Sequence, residues 1–221
     1  MTSTLTNAGQ ISLIIGPMFA GKSTELLRQL NIYCKCYATV FVTNSIDTRE
    51  YLSHNPIIQT TLKNTSIDYL QCKELNIEEL MRYDVIGIDE AQFFGELVKP
   101  VIELAKRNKI IVISGLDADS DQNVFLNVVN LIPYSSNVKK LTALCNECIA
   151  NHNERHISNI NVAPMTIRKI QSKERFVVGQ EESYSVSCLE HLQRNDDVDN
   201  EHTKEYDEEY IAKNENTKNE N

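Results

Sequence analysis

The fold is decided by the stretch Ile11-Ser12-Leu13-Ile14-Ile15-Gly16-Pro17-Met18-Phe19-Ala20-Gly21-Lys22-Ser23. Its first five residues form a short, mostly apolar run, as expected of a buried parallel strand. Its last eight residues fit the pattern G-x-x-x-x-G-K-[ST] at every defined position. After them, five residues recur at helical spacing: Leu26, Leu27, Leu30, Tyr33 and Cys34. The order strand, glycine-rich turn, helix is the context that a phosphate-binding loop requires.

Each part of residues 16–23, called the phosphate loop below, has a defined task. Glycine at positions 16 and 21 permits backbone conformations that turn several N–H groups inward and make a nest for the β- and γ-phosphates. The N-terminus of the following helix adds partial positive charge. In such loops the lysine, here Lys22, neutralises phosphate oxygens and the hydroxyl, here of Ser23, holds Mg²⁺. The alternative interpretation is a glycine turn with a surface lysine.

Further apolar runs alternate with helical patterns along the chain. Residues 38–42, 85–88 and 110–113 are strand candidates. Between the last two, one helical face is traced by Phe94, Leu97, Val98, Val101, Ile102 and Ala105. Strands that alternate with helices indicate an α/β fold with a parallel sheet. We therefore predict an α/β fold of the P-loop NTPase type, with helices flanking the sheet.

Two adjacent carboxylates, Asp89 and Glu90, end the strand candidate 85–88. In a P-loop sheet, an acid at this position is the usual partner of Mg²⁺, and ligands collect at the carboxyl ends of parallel strands. Adjacent side chains at a strand end point in different directions. We assign Asp89 to Mg²⁺ and Glu90 to a general base that faces a substrate hydroxyl. The alternative is a solvated acidic turn that caps the next helix.

Six cysteines are present, but the chain is long and has the features of a cytosolic protein, so a disulfide framework is not expected. We interpret Cys34, Cys36 and Cys72 as buried or unreactive. The other three form two close pairs, Cys145 with Cys148 and Cys188 with His191. Four ligands with no open position suit a structural Zn²⁺. The alternatives are a local set of Cys145, Cys148, His152 and His156, whose linker is too short for a zinc finger, or no metal.

The net charge of −9 is concentrated at the C-terminus. Residues 195–221 contain ten acidic residues and three lysines, and the rest of the chain is close to neutral. A near-neutral body lacks the basic footprint that duplex nucleic acid requires, so no nucleic-acid partner is expected. The acidic segment is poor in apolar residues, which predicts a disordered, solubilising extension rather than a binding tail.

Three regions are predicted along the chain. Residues 1–141 form the P-loop ATP-binding domain, residues 142–193 form a small metal-held lobe, and residues 194–221 form the acidic tail. No stretch has the roughly 20 apolar residues of a membrane span, and the N-terminus lacks the pattern of a signal peptide. We therefore expect a cytoplasmic protein with no membrane partner.

Together these motifs resemble the type II thymidine kinases, deoxynucleoside kinases with an appended zinc lobe. The phosphate loop continues as Thr24-Glu25-Leu26 and carries the family's Pro-Met-Phe. The other matching strings are Asp47-Thr48-Arg49, Asp89-Glu90-Ala91-Gln92-Phe93-Phe94, Gly115-Leu116-Asp117, Leu141-Thr142-Ala143-Leu144-Cys145 and the segment from Tyr184 to Cys188. The resemblance covers about residues 11–192 and implies transfer of the γ-phosphate of MgATP to the 5′-hydroxyl of thymidine, with deoxyuridine as a further substrate left open.

The resemblance also implies roles for individual residues. The catalytic residues would be Glu90, Lys22 and Arg49. ATP would contact Gly16, Pro17, Met18, Phe19, Ala20, Gly21, Lys22, Ser23, Asp47, Thr48, Arg49, Asp89 and Gln92. The nucleoside would contact Met18, Phe93, Leu116, Ser120, Phe125, Thr166 and Tyr184, with a backbone-reading lasso formed by Arg175, Phe176, Val177, Val178 and Gly179. Taken without the resemblance, Tyr184 is an ordinary half-buried tyrosine.

The sequence departs from the family pattern at three positions. His191 is the fourth zinc ligand where the family usually has cysteine, and imidazole is an acceptable replacement. Ser120 stands where the family commonly has an aromatic residue, which leaves one wall of the base pocket to Phe125 or another side chain. Gln180 replaces the second glycine of the lasso.

The resemblance further implies a homotetramer and feedback inhibition by dTTP. Two rival hypotheses remain at this point. One is a nucleotide-dependent protein that binds single-stranded nucleic acid, although the chain lacks a basic segment laced with aromatic residues. The other is an inactive regulatory relative that retains the fold, although Lys22, Ser23, Asp89 and Glu90 are all intact.

Overall fold

A parallel sheet of six strands lies at the centre of the protein, whose structure is a computed structural model that describes residues 9–45, 56–155, 159–169 and 183–192. The strands are β1 (Gln10–Ile15), β2 (Thr39–Asn44), β3 (Ile67–Cys72), β4 (Val85–Ile88), β5 (Ile110–Gly115) and β6 (Asn137–Lys140). Every pairing in this sheet is parallel, and the order is β3-β2-β4-β5-β1-β6. The predicted parallel α/β fold is confirmed.

Helices connect the strands, because parallel neighbours require a crossover. They are α1 (Lys22–Tyr33), α2 (Pro56–Lys63), α3 (Ile77–Leu80), α4 (Val98–Lys106), α5 (Leu126–Val129) and α6 (Asn146–Arg155). Two 3₁₀ turns cover Ala91–Phe93 and Ile132–Tyr134. None of the helices in the described ranges is long and apolar enough to cross a bilayer.

The core lies on both faces of the sheet, since successive strand residues point to opposite sides. Leu13 of β1 belongs to a cluster that contains Val101 and Leu104 of α4. Its neighbour Ile14 belongs to a second cluster with Leu26 and Leu30 of α1. All of these side chains are fully buried. This two-sided burial explains the near-continuous apolar runs of the central strands.

Two strands of the six-stranded sheet were not predicted, and one helix starts later than predicted. Edge strand β6 is exposed at all four positions and β3 is buried only at its first residue, so neither has an apolar run. The helical face predicted from residue 94 begins as α4 only at Val98. Phe94 and Leu97 are buried in the core from the preceding loop, where Phe94 has an extended backbone. Phe94 and Leu97 are therefore buried at a spacing typical of a helix, although the segment that carries them is not helical.

Beyond the sheet, two short ladders form the lobe. Strands β7 (Ala143–Leu144) and β8 (Val162–Ala163) pair antiparallel, as do β9 (Met165–Arg168) and β10 (Tyr184–Ser187). The small core of the lobe contains Ala163 and Val186 together with the three cysteines of the two ligand pairs. The described chain up to His191 belongs to one compact unit, and of the second unit, residues 192–221, only Leu192 is described. The domain boundaries therefore stay predictions, and the predicted tail lies outside the described residues.

Candidate active site

The phosphate loop connects the end of β1 to the start of α1 and depends on its two glycines. Gly16 has φ 141°, and a Cβ atom there would lie 2.2 Å from the carbonyl oxygen of Leu141. Gly21 is the N-cap of α1 with φ 79°. Both conformations favour glycine because a side chain would be strained or would clash. Phe19 also has a positive φ, 61°, and its side chain is 45% exposed.

Lys22 is the cation of the loop, and it is only 8% exposed. Its Nζ donates to the carbonyl oxygen of Pro17 at 2.6 Å, which holds the ammonium group inside the loop. Burial lowers the pKa of Lys22, and the negative charges of Glu90, Asp89 and Asp117 oppose this shift. A buried ammonium group is stabilised by an anion in contact with it. A phosphate bound in the loop would therefore compensate the buried charge of Lys22.

Asp89 lies at the carboxyl end of β4, where three strands meet. It is 1% exposed, and Oδ1 accepts a hydrogen bond from the Ser114 hydroxyl at the end of β5. Its backbone N–H donates to the carbonyl oxygen of Val42 in β2 at 2.9 Å. A carboxylate fixed in this way offers a hard oxygen ligand of the kind Mg²⁺ prefers. The half-buried Ser23 stands in the first turn of α1, and the residues present fit the predicted Mg²⁺.

Glu90 has a left-handed backbone, with φ 49° and ψ 48°. Its Oε2 accepts a hydrogen bond from Gln92 Nε2 at 2.6 Å, and Gln92 Oε1 accepts from the backbone N–H of Leu116 at 3.0 Å. Gln92 is 6% exposed, so this amide bridges the ends of β4 and β5 out of solvent. Gln92, which was predicted to contact ATP, thus makes a hydrogen bond to the Glu90 carboxylate and orients it.

Sequence reasoning missed two asparagines that hold the segment after Glu90. Asn127 Nδ2 donates to the carbonyl oxygens of Ala91, Gln92 and Phe94, at 3.3, 3.2 and 2.7 Å. Asn44 Nδ2 donates to the carbonyl oxygens of Phe93, at 3.2 Å, and of Lys73. Asn44 is the last residue of β2 and Asn127 lies inside α5. An asparagine at such a position is a weak sequence signal, because its partners are distant in the chain.

The structure brings part of the predicted nucleoside site against the phosphate loop. The backbone N–H of Met18 donates to Oγ1 of Thr166 in β9 at 2.9 Å. Thr166 is 4% exposed, and Tyr184 in the neighbouring strand β10 is 9% exposed. The lobe therefore reaches the phosphate loop through β9.

Three other predicted nucleoside contacts lie around the ends of β4 and β5. Phe93 and Leu116 are half-buried there. Phe125 is 5% exposed and belongs to the core cluster on the α4 face. The other predicted contacts lie outside the described residues: Asp47, Thr48, Arg49, Arg175, Phe176, Val177, Val178 and Gly179.

Ser120 is half-buried, and its Oγ is buried without a hydrogen-bond partner among the described residues. The family pattern has an aromatic side chain at this position. The structure therefore places a small polar group where the resemblance implied a wall of the base pocket.

The two cysteine-containing pairs converge on one point of the lobe. His191 Nδ1 lies 3.6, 3.4 and 3.4 Å from the sulfur atoms of Cys145, Cys148 and Cys188. The sulfur atoms of Cys148 and Cys188 are 3.9 Å apart. A tetrahedral zinc site with ordinary bond lengths has edges of about 3.5–3.8 Å. These four residues could hold a metal ion, whereas His156 of the alternative local set lies outside the described residues.

Surrounding groups shift the pKa values of two cysteines of this cluster in opposite directions. Burial raises the pKa of Cys145, but hydrogen bonds from the backbone N–H groups and side chains of Cys148 and Cys188 outweigh it, and the net pKa is lowered. Asn161 Nδ2 lies 3.9 Å from the sulfur of Cys188 and donates to Glu190 at 3.0 Å. A backbone hydrogen bond from Asn161 lowers the pKa of Cys148, but burial and the sulfur groups of Cys145 and Cys188 outweigh it, and the net pKa is raised. Metal binding requires thiolates, so the lowered pKa of Cys145 favours a metal centre and the raised pKa of Cys148 does not.

A cavity of about 580 Å³ opens beside the phosphate loop, between Phe19 and the lobe. It is lined by Phe19, Thr142, Ala143, Leu144, Asn146, Ile149, Val162, Lys169 and Val186. Among the described residues, its lining includes none of the predicted nucleoside contacts.

The fold and site together define a phosphate-loop protein: a parallel sheet, a glycine-rich loop with a buried lysine, and carboxylates at the strand ends. The thymidine kinase family model matches residues 9–192, and the chain belongs to that family. It is 35% identical to the thymidine kinase of Sheeppox virus (strain KS-1) over 189 residues, which cover 81% of this chain and 94% of the relative. The thymidine kinase of Amsacta moorei entomopoxvirus is also 35% identical, with coverages of 80% and 94%.

A third relative is more similar over a shorter length. The thymidine kinase of Vaccinia virus (strain Ankara) is 40% identical over 145 residues, which cover 64% of this chain and 79% of the relative. Among solved structures, the flagellar accessory protein FlaH from Methanocaldococcus jannaschii matches with a TM-score of 0.42 and 16% identity, covering 62% of this chain and 73% of that chain. A DnaB-like replicative helicase matches with a TM-score of 0.43 and 7% identity, covering 72% of this chain and 52% of that chain.

Proposed function

We propose that this protein transfers the γ-phosphate of MgATP to the 5′-hydroxyl of thymidine and releases dTMP. The observation that carries the proposal is the buried Lys22 within electrostatic range of Asp89 and Glu90, in a chain that matches the thymidine kinase family over residues 9–192. Phosphoryl transfer needs a phosphate cradle, a metal ligand and a group that accepts the hydroxyl proton. Lys22 in the phosphate loop, Asp89 as the metal ligand and Glu90 as the proton acceptor are proposed to meet these three needs at one edge of the sheet.

Glu90 is the proposed general base. Its carboxylate is held by the Gln92 amide and its backbone by the turn after β4, so it presents one orientation to the substrate hydroxyl. The 5′-hydroxyl proton passes to Glu90 as the 5′-oxygen bonds to the γ-phosphorus and the bond from that phosphorus to the β–γ bridging oxygen breaks. ADP leaves with that oxygen. Positioning and charge neutralisation account for most of the acceleration in such reactions.

Lys22 and Asp89 are proposed to serve the phosphates. Lys22 Nζ exchanges the Pro17 carbonyl oxygen for a phosphate oxygen when ATP binds. Asp89 and Ser23 are the residues that would hold Mg²⁺, which neutralises phosphate charge when it is bound. Arg49 is proposed to stabilise the transferring group, with Asp47 and Thr48 beside the nucleotide, as the family resemblance implies.

The thymine base is proposed to lie between the strand ends and the lobe. Met18, Phe93 and Leu116 supply apolar contacts for the 5-methyl group, and Thr166 and Tyr184 flank the base. Residues 175–179 are proposed to bind the base through backbone hydrogen bonds. The support for this placement is the contact between Met18 and Thr166, which brings the lobe to the phosphate loop.

The Cys₃His cluster is proposed to bind a structural Zn²⁺. Four ligand atoms that lie within 4.8 Å of one another, with no open position, suit a structural role rather than a catalytic one. The support is its position: the ligands Cys145 and Cys188 lie next to β7 and β10 in the chain, so the ion holds the strand that carries Tyr184.

A cytoplasmic homotetramer that is inhibited by dTTP is also proposed. The family resemblance supports both properties, and the exposed edge strand β6 offers a surface for contact between subunits. Light scattering on the purified protein tests the tetramer. Assays with dTTP well above the thymidine concentration test the inhibition, and an unchanged rate would contradict it.

Phosphorylation assays with purified protein test the reaction. Thymidine, deoxycytidine, deoxyadenosine and deoxyguanosine are each incubated with MgATP, deoxyuridine is added as a fifth substrate, and Glu90→Gln is assayed in parallel. We expect thymidine to be converted and the variant to lose roughly 10²–10⁴-fold in kcat, the range for removal of a general base.

Each other outcome changes a different part of the proposal. A variant with near-normal turnover would contradict the role of Glu90 alone. Conversion of another nucleoside in preference to thymidine would retain the kinase and overturn the base specificity. No conversion of any nucleoside, in protein that binds ATP and zinc, would favour the regulatory relative.

A further inference from the structure

Gln122 has no proposed role in catalysis or substrate binding, yet its side chain makes a hydrogen bond to a distant part of the chain. It lies in the connection from β5 to α5, and its Nε2 donates to the carbonyl oxygen of Thr166 at 2.9 Å and to that of Ser120 at 3.3 Å. Thr166 is 44 residues away in the lobe. A single side-chain amide therefore joins the β5–α5 connection to β9.

Thr166 continues this connection to the phosphate loop. While its carbonyl oxygen accepts from Gln122, its hydroxyl accepts from the backbone N–H of Met18 at 2.9 Å. The hydrogen bonds thus run from Gln122 through one buried threonine to the loop that carries Lys22. We call this series of contacts the Gln122 bridge.

The backbone at Gln122 is held in an unfavourable conformation, with φ 68°. Asp119 sets the turn: its Oδ1 accepts from the backbone N–H groups of Asp121 and Asn123 at 3.0 and 2.9 Å. A left-handed conformation at a residue other than glycine, asparagine or aspartate destabilises the fold. A turn that tolerates this destabilisation is consistent with a function for the side chain it displays.

The neighbouring Ser120 gives the second observation. Its buried hydroxyl has no partner among the described residues, and its side chain is far smaller than the aromatic ring typical of the family. Ser120 therefore cannot supply that wall, and the amide of Gln122 lies against the Ser120 carbonyl oxygen. The Gln122 bridge begins two residues after Ser120. In relatives with an aromatic residue at the Ser120 position, that side chain would help to position the nucleoside.

We propose that Gln122 is a positioning residue for the nucleoside: its amide fixes Thr166, and through Thr166 it fixes Met18 at the base site. This inference rests on the proposed thymidine kinase activity for its kinetic consequence. It assigns to Gln122 a role that the sequence patterns did not indicate, and it explains how a pocket with Ser120 retains a defined shape.

The test is Gln122→Gly, with Asn108→Gly as a matched control. Glycine suits the left-handed backbone, so the variant loses the amide without added strain. Asn108 also has a positive φ, 63°, but it is exposed at the turn between α4 and β5, away from the site. Gln122→Glu keeps the size of the side chain and places an acceptor against two carbonyl oxygens, so it should act at least as strongly.

Two measurements, the KM values for thymidine and ATP and the hydrogen exchange rate at Met18, distinguish positioning of the nucleoside from a general loss of structure. Gln122→Gly should raise the KM for thymidine about tenfold, as for loss of one net hydrogen bond, with kcat within about threefold and the KM for ATP within about twofold. Hydrogen exchange at the Met18 backbone amide should become roughly fivefold faster or more, in protein without substrate. Asn108→Gly should change none of these quantities.

An unchanged KM for thymidine in a variant whose wild-type parent is active would overturn the proposal. So would an equal rise in the KM for ATP, because it would indicate general loosening of the phosphate loop. If the wild-type protein phosphorylates no nucleoside, the proposed function fails, while the exchange rate at Met18 still decides whether the Gln122 bridge holds the loop.

Discussion

At the scale of single residues, Glu90 shows how chemistry and stability oppose each other. The proposed general base lies where the chain turns sharply after β4, and that turn gives Glu90 φ 49°. A left-handed backbone destabilises a glutamate by about 1–2 kcal/mol relative to its normal conformations. Glycine would relieve this strain but would remove the carboxylate.

We therefore predict that Glu90→Gly loses activity without losing stability. Its kcat should fall at least as far as that of Glu90→Gln, while its free energy of unfolding should equal or exceed that of the wild type, because the relief of strain offsets the lost hydrogen bond to Gln92. Urea unfolding monitored by circular dichroism measures this. A variant that unfolds at clearly lower urea than Glu90→Gln would show that the turn is not strained.

Glu25 in α1 predicts how stability depends on pH. Its carboxylate accepts from Arg28 at 2.8 and 3.0 Å and from Gln29 at 3.1 Å, and Lys139 of β6 lies 3.2 Å away. The hydrogen bonds from Arg28 dominate and lower the pKa of Glu25 to about 2. A pKa below the unfolded value of about 4.3 stabilises the fold above that pH and ceases to do so as the pH falls towards 2.

The measurement compares the wild type with Glu25→Gln across pH. Above about pH 5 the wild type should be more stable, on the order of 1 kcal/mol, because solvent screens the exposed Arg28 and reduces the full linkage value. Between about pH 5 and 2 the difference should shrink towards zero. A difference that stays constant down to about pH 2 would mean that Glu25 titrates normally.

At the scale of elements, the strands that are buried in the sheet could be predicted from the sequence, and the exposed strands could not. Strands β1, β2, β4 and β5 lie inside the sheet and carry apolar runs, so their patterns were visible in the sequence. Edge strand β6 has the sequence Asn137-Val138-Lys139-Lys140, which has no strand pattern because its side chains face solvent. Its place beside β1 comes from hydrogen bonding in register with a buried partner.

We expect the lobe to depend on its proposed metal ligands, since three of its five buried core residues are Cys145, Cys148 and Cys188. We predict that Cys188→Ser abolishes binding of the proposed zinc ion and lowers the melting temperature by roughly 5–10 °C, because loss of a metal ligand is a large perturbation. His191→Cys should retain one zinc per chain, since four cysteines also bind zinc tetrahedrally. Metal analysis and thermal unfolding test both variants.

The consequence for activity follows from the position of the lobe. Thr166 and Tyr184 lie on the β9–β10 ladder, which precedes the ligand Cys188. Cys188→Ser should therefore raise the KM for thymidine more than the KM for ATP. An active, stable Cys188→Ser protein without metal would contradict a structural role for the ion.

At the scale of the whole molecule, most of the net negative charge lies outside the residues that match the thymidine kinase family. The family match ends at residue 192, and most of the net negative charge follows it. We predict that removal of residues 193–221 leaves kcat and both KM values within about twofold and lowers solubility, since added acidic residues favour solubility. A large change in either KM would show that the tail takes part in substrate binding.

The sequence by itself determined the phosphate loop, the buried strands, the acidic pair and the two ligand pairs. These features are local: each depends on the chemistry and spacing of residues close together in the chain, which an apolar period or a glycine pattern displays directly.

Tertiary structure alone decided which distant residues meet. The Ser114 hydroxyl on Asp89, the Leu141 carbonyl oxygen against Gly16, and the Gln122 bridge from Thr166 to Met18 join segments 25 to 148 residues apart. No local pattern encodes such contacts, because they arise when several buried faces pack at once and each buried polar group must find a partner.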